Sequence, residues 1–154
     1  MTPLTQSLKF ALAGALLIHT ITSAVAQQTA TLSQAQTPST LEIKGFRIQA
    51  EVARTPQARA TGLMGRLELA QDSGMLFVFD ASERICMWMR NTPLPLSVAF
   101  LDERGVIVNI ENMKPLSDTV HCAKSEARYA LEMTQGWFVN RGIQPRDQVR
   151  LVRP

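Results

Sequence analysis

Tryptophan, arginine and short polar side chains occur together in the middle of the sequence, where they could bind a small polar ligand. Trp88, Asn91 and Thr92 lie close together, just before a proline-bounded loop. An arginine side chain offers forked donors for a carboxylate or for sugar hydroxyls, and a tryptophan ring offers a face for stacking. With two arginines and one acid from elsewhere in the chain, the candidate ligand pocket consists of Arg59, Arg66, Trp88, Asn91, Thr92 and Glu132.

The same side chains also have an ordinary structural interpretation. Asn91 and Thr92 could hydrogen-bond to the backbone and fix the turn that they enter. Glu132 could form an internal ion pair with Arg59 or Arg66. Because turn residues and ion pairs are more common than ligand sites, the sequence favours these structural roles over a pocket.

A second group of residues, rich in sulfur, raises the alternative of a soft-metal site. Its thiols, thioethers and imidazole suit Cu(I), and its members are Cys86, Met87, Met89, Met113, His121 and Cys122. Successive side chains of a strand point to opposite sides, so Met87 and Met89 cannot share a face with Cys86. Methionine is also a common core residue. A periplasmic copper-binding protein is therefore an alternative only, and no metal ligand is assigned.

Cys86 and Cys122 are the two cysteines of the chain. An even pair in a small exported domain usually forms a disulfide, which leaves no free thiol for a metal. We therefore predict a Cys86–Cys122 bridge, whose closed loop should stabilise the domain by about 4 kcal/mol.

No motif of a known catalytic type is visible in the sequence. Nucleophile elbows, metalloprotease helices, phosphate loops and zinc spacings are all missing. A hydrolase that uses a pair of carboxylates is the enzymatic alternative, with acids drawn from Asp102, Glu103, Glu111 and Glu132. The sequence assigns no catalytic residue and no cofactor. It favours a non-catalytic module that binds a small polar ligand or a partner protein of the cell envelope.

The start of the chain has the order of residues that directs export. Lys9 precedes an apolar run of about 12 residues, and the small residues Ala24-Val25-Ala26 then form a cleavage signal. About 20 residues are needed to span a bilayer, so the run is too short for an anchor. We predict a cleaved signal peptide over residues 1–26, a flexible polar linker over 27–40 and one β-rich domain over 41–154. The mature protein should be periplasmic or secreted, with no membrane span.

The charges of the chain make nucleic acid an unexpected partner. Lysine and arginine total 16, aspartate and glutamate total 13, and the two signs are interspersed along the sequence. Proteins that bind nucleic acid usually carry a basic stripe, often with aromatic residues between the charges. Neither pattern is present, so we expect no nucleic-acid partner.

The elements that must position these residues are short strands. Apolar and alternating runs predict strands at 41–43, 46–52, 75–79, 85–89, 96–101, 106–110, 120–122, 128–133 and 148–152. Thr55-Pro56 predicts the start of a short helix over 57–64, which Gly65 ends, and residues 136–141 could form one further helical turn. Many short strands with little helix predict a mostly β, compact β-sandwich or barrel-like single domain with one or two short helices.

Four motifs occur in an order that is typical of one protein family. They are Gly62-Leu63-Met64-Gly65-Arg66, Gly74-Met75-Leu76-Phe77-Val78-Phe79, Trp88-Met89-Arg90-Asn91-Thr92 and Leu131-Glu132. From about Leu41 to Leu151 the chain resembles the prokaryotic family labelled domain of unknown function 192. The resemblance implies a small β-sandwich-like domain, often exported, without established catalytic residues. Where that family often has Leu-Asp and Gly-Asp, this chain has Leu96-Ser97 and Arg146-Asp147.

Overall fold

Within residues 38–152, which the computed structural model describes, the chain folds into nine strands and one α-helix. The strands are β1 (Ser39–Ile43), β2 (Phe46–Ala53), β3 (Ser73–Glu83), β4 (Cys86–Met87), β5 (Leu96–Leu101), β6 (Ile107–Met113), β7 (His121–Cys122), β8 (Ala127–Thr134) and β9 (Arg150–Leu151). The helix α1 (Pro56–Thr61) lies between β2 and β3, and a 3-10 turn (Val139–Arg141) follows β8.

Seven of the strands form one curled sheet, in the order β6-β5-β8-β3-β2-β1-β9, and β4 pairs with β7 in a separate ribbon. β1 with β2 and β5 with β6 form antiparallel hairpins, whereas β2 and β3 run parallel. β8 is an interior strand of the sheet, because it pairs with β3 on one edge and with β5 on the other. The prediction of a mostly β domain with few helices is confirmed, and the sheet has the form of half a barrel.

The alternation of side chains along β3, β8 and β5 divides the core between the two faces of the sheet. On one face, which we call the pocket face, Phe77 and Phe100 are fully buried. On the other, which we call the C-terminal face, Ala99 and Leu131 pack against apolar residues of the segment that follows β8. All six residues of β5 are buried, so this strand contributes to both halves of the core.

The connection between the parallel strands β2 and β3 carries α1 to the pocket face. The helix begins as predicted, with Thr55 Oγ1 accepting a hydrogen bond from the backbone N–H of Ala58 at 3.1 Å. The predicted end at Gly65 is wrong. The helix ends at Thr61, and Gly62 follows with a φ of 47°, a backbone conformation that favours glycine.

The strands differ from the predicted ones mainly near the β4–β7 ribbon. β3 continues to Glu83, beyond the predicted end at Phe79. In contrast, the predicted strand over 85–89 is reduced to the two residues of β4. Met89 does not continue this strand. Its backbone N–H donates at 3.0 Å to the carbonyl of Ser117, a loop residue.

The predicted signal peptide over residues 1–26 and the linker as far as residue 37 lie outside the described residues. β1 begins at Ser39 and so includes the last two residues of the predicted linker. In the part of the chain that the structure describes, no helix is both long and apolar enough to cross a membrane.

A disulfide joins the two strands of the β4–β7 ribbon, as predicted. Cys86 and Cys122 lie opposite each other in its antiparallel register, and Met87 lies opposite His121. Each strand of the ribbon has only two residues, so backbone pairing alone stabilises it little. The bridge therefore adds a covalent link, 36 positions apart in the sequence, between two segments that are also joined by the backbone bonds Ala123 to Ile85 and Met89 to Ser117.

Replacing both cysteines, in the variant Cys86→Ala/Cys122→Ala, should lower the free energy of unfolding by about 4 kcal/mol, because the unfolded chain regains the entropy of its closed loop. Denaturant unfolding followed by circular dichroism measures this loss. Reduced wild-type protein is the matched control and should unfold at the same denaturant concentration as the double variant. A variant as stable as the oxidised wild type would contradict the prediction.

Candidate functional site

A cavity of about 400 Å³ lies on the pocket face, between the α1 segment and the β4–β7 ribbon. Most of its walls are apolar, and the apolar side chains include Leu63, Met64, Phe77, Phe79, Met87 and Val120. Polar groups reach the cavity from Arg59 on α1, Thr92 after the ribbon and Glu132 on β8. We call this cavity the Glu132 pocket.

Glu132 is the most unusual residue of the pocket, because its carboxyl group is buried without a partner. Its neighbours across the sheet are the apolar residues Met75 on β3 and Val98 on β5. Glu132 is 3% exposed, and within residues 38–152 no hydrogen bond or opposite charge reaches its carboxyl group. Burial raises the pKa of Glu132 to about 8, because removal from water disfavours the charged form.

The arginines that were expected to pair with Glu132 have other partners. Arg59 donates from Nη2 to Asp80 at 3.3 Å. Arg66 forms a two-pronged ion pair with Glu51, in which both nitrogen–oxygen distances are 2.6 Å. The predicted ion pair between Glu132 and Arg59 or Arg66 is therefore not formed. Glu51 lies on β2, two strands away from β8 in the sheet, and this position keeps Arg66 out of the pocket walls.

Trp88 and Thr92 line the pocket, whereas Asn91 shapes a turn beside it. Trp88 is 45% exposed, and the guanidinium of Arg90 lies 4.3 Å from the centre of its ring. Thr92 is buried and donates from Oγ1 to the carbonyl of Arg90 at 3.3 Å. Asn91 has a φ of 56°, and its carbonyl accepts from the N–H of Gly65 at 2.8 Å. Asn91 thus contributes to the turn through its backbone, and among the described residues the predicted side-chain bond to the backbone is made by Thr92.

The structure divides the six predicted pocket residues into two groups. Those that it brings together around one cavity are Arg59, Trp88, Thr92 and Glu132. Arg66 and Asn91 stabilise the surrounding chain instead. Sequence reasoning missed the apolar walls, because residues such as Leu63 and Phe77 have the same pattern as ordinary core residues.

The residues of the copper and hydrolase alternatives do not form a common site. Cys86 and Cys122 are joined in the disulfide, and Met89 is buried in the core. Within residues 38–152 no three His, Cys, Asp or Glu side chains lie close enough to hold a metal ion. Asp102 accepts hydrogen bonds from the backbone of its own turn, and among the described residues Glu132 is the one acid that lines the pocket.

A second cavity, of about 350 Å³, was not indicated by any local pattern of the sequence. Four arginines from separate parts of the chain line it, and they are Arg54, Arg104, Arg128 and Arg150. Glu103 and Tyr129 also line it. Because the four arginines are far apart in the sequence, only the folded chain shows that they share a cavity.

A family model described as Uncharacterized ACR, domain of unknown function 192 (DUF192), matches residues 39–151. The chain belongs to the DUF192 family. A protein from Sinorhizobium meliloti 1021, provisionally described as a transcription regulator, has a similar crystal structure with a TM-score of 0.71 and 33% identity. That match covers 73% of this chain and 92% of that one.

A second crystal structure supports the same fold for this DUF192 domain. It is a protein of unknown function from Novosphingobium aromaticivorans DSM 12444, with a TM-score of 0.70 and 32% identity. The match covers 72% of this chain and 83% of that one. No curated protein matches this chain. The geometry of the Glu132 pocket is therefore the best guide to what this DUF192 domain does.

The raised pKa of Glu132 makes the stability of this DUF192 domain depend on pH. Between about pH 4.5 and 8 the unfolded chain has released this proton while the folded protein still holds it, so the free energy of unfolding falls as the pH rises. The loss is about 1.4 kcal/mol for each pH unit in this window. Because Glu132→Gln cannot ionise, its stability relative to the wild type should increase with pH from about 5 to about 8 and stay constant above.

Denaturant unfolding at several pH values across this window measures the difference. Glu126→Gln is the matched control, because it makes the same substitution at an exposed position just before β8. Its stability should run parallel to that of the wild type. A constant difference between Glu132→Gln and the wild type over the whole window would show that the pKa of Glu132 is not raised.

Proposed function

We propose that this DUF192 domain is a non-catalytic module that binds a small molecule in the Glu132 pocket. The ligand places one polar group against Glu132 and an apolar body along walls that include Phe77, Phe79 and Met87. The observation that carries the proposal is a buried carboxyl group without a partner at the wall of a cavity. Ligand pockets typically combine apolar walls with a few polar groups that fix orientation, and a volume of about 400 Å³ is within their range.

The energetic cost of Glu132 supports a role in binding rather than in folding. An ionised carboxyl in an apolar environment is unfavourable unless it is paired and hydrogen-bonded. Burial accordingly holds the pKa of Glu132 well above its ordinary value. A ligand that bonds to this group would offset part of the cost. Binding sites often retain such locally unfavourable groups at the expense of stability.

The proposal also places the module in the cell envelope. It is supported by the predicted signal peptide over residues 1–26 and by the Cys86–Cys122 disulfide, because disulfides persist mainly outside the cytoplasm. After cleavage, the linker over 27–40 would lead into the domain over 41–154, in the periplasm or outside the cell.

Fractionation of the native cells followed by N-terminal sequencing tests the export of the chain. The protein should be recovered outside the cytoplasm with Gln27 as its first residue, because cleavage is expected after Ala26. A protein that retains Met1 and stays in the cytoplasmic fraction would contradict export.

Enzymatic and nucleic-acid functions have less support. A hydrolase with paired carboxylates needs a second acid roughly 5–10 Å from the first. Among the described residues that line the pocket, however, Glu132 is the sole acid. A role in transcription, suggested by the description of the Sinorhizobium relative, would need a basic surface. The arginines near the Glu132 pocket are instead paired with acids, and the four arginines of the second cavity share it with Glu103.

An envelope protein is the second candidate for a partner. Trp88 and Val120 line the edge of the pocket and are 45% and 57% exposed, respectively. Exposed aromatic and aliphatic residues beside a cavity are suited to a protein that inserts one side chain into it. A small molecule is favoured because the unpartnered group, Glu132, is buried rather than exposed.

A fragment screen by two-dimensional NMR tests binding in the pocket. Small apolar fragments with one hydrogen-bonding group should shift the amide signals of Phe77, Trp88 and Glu132. Met64→Trp should weaken binding at least about tenfold, because the larger side chain fills the cavity from its wall. The control Glu126→Gln should bind as the wild type does.

Two results would count against the proposed function. Fragments that bind equally well to the wild type and to Met64→Trp would show that the ligand lies elsewhere. A library in which no fragment shifts the signals of Phe77, Trp88 and Glu132 would remove the pocket as a ligand site.

A further inference from the structure

The arginines around the Glu132 pocket each have an acidic partner of their own. The pairs are Arg59–Asp80 at 3.3 Å, Arg66–Glu51 at 2.6 Å and Arg90–Asp118 at 2.7 Å. The positive charges near the pocket are therefore already balanced. Glu132 has no such partner among the described residues, so its ionised form leaves one unbalanced negative charge at the cavity wall.

The aromatic walls of the pocket favour a positive group. The guanidinium of Arg59 lies 5.2 Å from the centre of the Phe79 ring, and that of Arg90 lies 4.3 Å from the centre of the Trp88 ring. An aromatic face attracts cations through its quadrupole, and the attraction is stronger where water is excluded. The buried ring of Phe77 lines the same cavity and has no such cation over it among the described residues. A cation that enters the pocket would thus meet both an aromatic ring and a carboxyl group.

We propose that the polar group which enters the pocket is an ammonium, carried by a small apolar or aromatic amine, and that Glu132 binds it as a carboxylate. This inference rests on the proposed function, since it takes the Glu132 pocket as the binding site. An ionised carboxylate only accepts hydrogen bonds, and an ammonium supplies N–H donors together with the missing charge. A neutral alcohol supplies no positive charge, so beside it Glu132 stays protonated and donates a single hydrogen bond, and an anionic ligand would bring a negative charge into a mostly apolar cavity.

Binding of an ammonium should release a proton from the protein. Burial keeps Glu132 protonated in the empty pocket near neutral pH, whereas a neighbouring cation favours the ionised form. Beside Glu132 in the sheet lie the apolar residues Met75 and Val98, and the other polar or sulfur-bearing groups at the cavity include Arg59, Thr92 and Cys86, of which Cys86 is held in the disulfide. Affinity for the amine should therefore rise with pH below about 8, approaching tenfold for each unit.

Isothermal titration calorimetry with three ligands of matched shape tests the inference, and the probes are benzylamine, benzyl alcohol and benzoate. Near neutral pH, benzylamine should bind at least about tenfold more tightly than benzyl alcohol, and benzoate should bind most weakly. Titrations in buffers of different ionisation enthalpy should show close to one proton released for each benzylamine bound. Glu132→Gln should lose the preference for benzylamine, and the control Glu126→Gln should keep it.

The results separate the ammonium inference from the proposed function. The inference of an ammonium would be overturned if benzyl alcohol bound as tightly as benzylamine, or if benzylamine bound without proton release. Either result would leave the pocket as a ligand site. The same holds if none of the three probes binds while other fragments shift the signals of Phe77 and Glu132. If no fragment shifts these signals, both proposals fail.

The variant Glu132→Gln is suited to this test because it keeps the size and shape of the side chain. It is expected to be more stable than the wild type at neutral pH, so a loss of binding would not result from unfolding. An NMR spectrum of the variant checks this. Proton release by the wild type is an independent readout that needs no substitution.

Discussion

The pairing of β8 along both of its edges is the constraint on which the pocket depends. Because β8 is bonded to β3 and to β5, its side chains alternate strictly between the two faces, and Glu132 and Leu131 lie on opposite sides. Gly74 on β3 supports this register, since a Cβ there would collide with the carbonyl oxygen of Glu132 and the sulfur of Met133. The sheet as a whole, rather than a contact of its own, therefore places the carboxyl group of Glu132 in an apolar environment.

Local patterns were enough to predict most of the fold. The β1–β2 hairpin around Lys44-Gly45 is specified by neighbouring residues, and in the structure Ile43 lies opposite Phe46. The end of α1 was not predictable in this way, because Gly62 and Gly65 are equally suited to end a helix. The structure uses Gly62, where a Cβ would come within 3.2 Å of the ring of Phe77, a residue of β3. That contact depends on tertiary packing and leaves no local pattern.

The pocket was predictable only in part, for a related reason. Trp88 and Thr92 stand in one short motif, and both line the cavity. Glu132 was a candidate as well, but its expected ion pair with an arginine depends on the order of the strands. In the sheet, Glu51 is the acid that pairs with Arg66. Nothing in the linear sequence shows that Arg66 would pair with Glu51 rather than with Glu132. The sequence shows that Glu132 is an acid, but only the order of the strands shows that no arginine among the described residues pairs with it.

The place of β8 in the chain also sets the order in which the sheet can assemble. β3 ends at Glu83 and the β5–β6 hairpin is complete at Met113, but the strand that joins them begins only at Ala127. Contacts between such distant segments close slowly, because the entropy of the intervening loop must be lost before they form. During synthesis, the two parts of the sheet therefore emerge before the strand that unites them. The complete sheet, with β8 between β3 and β5, can therefore form only after residues 127–134 have been synthesised.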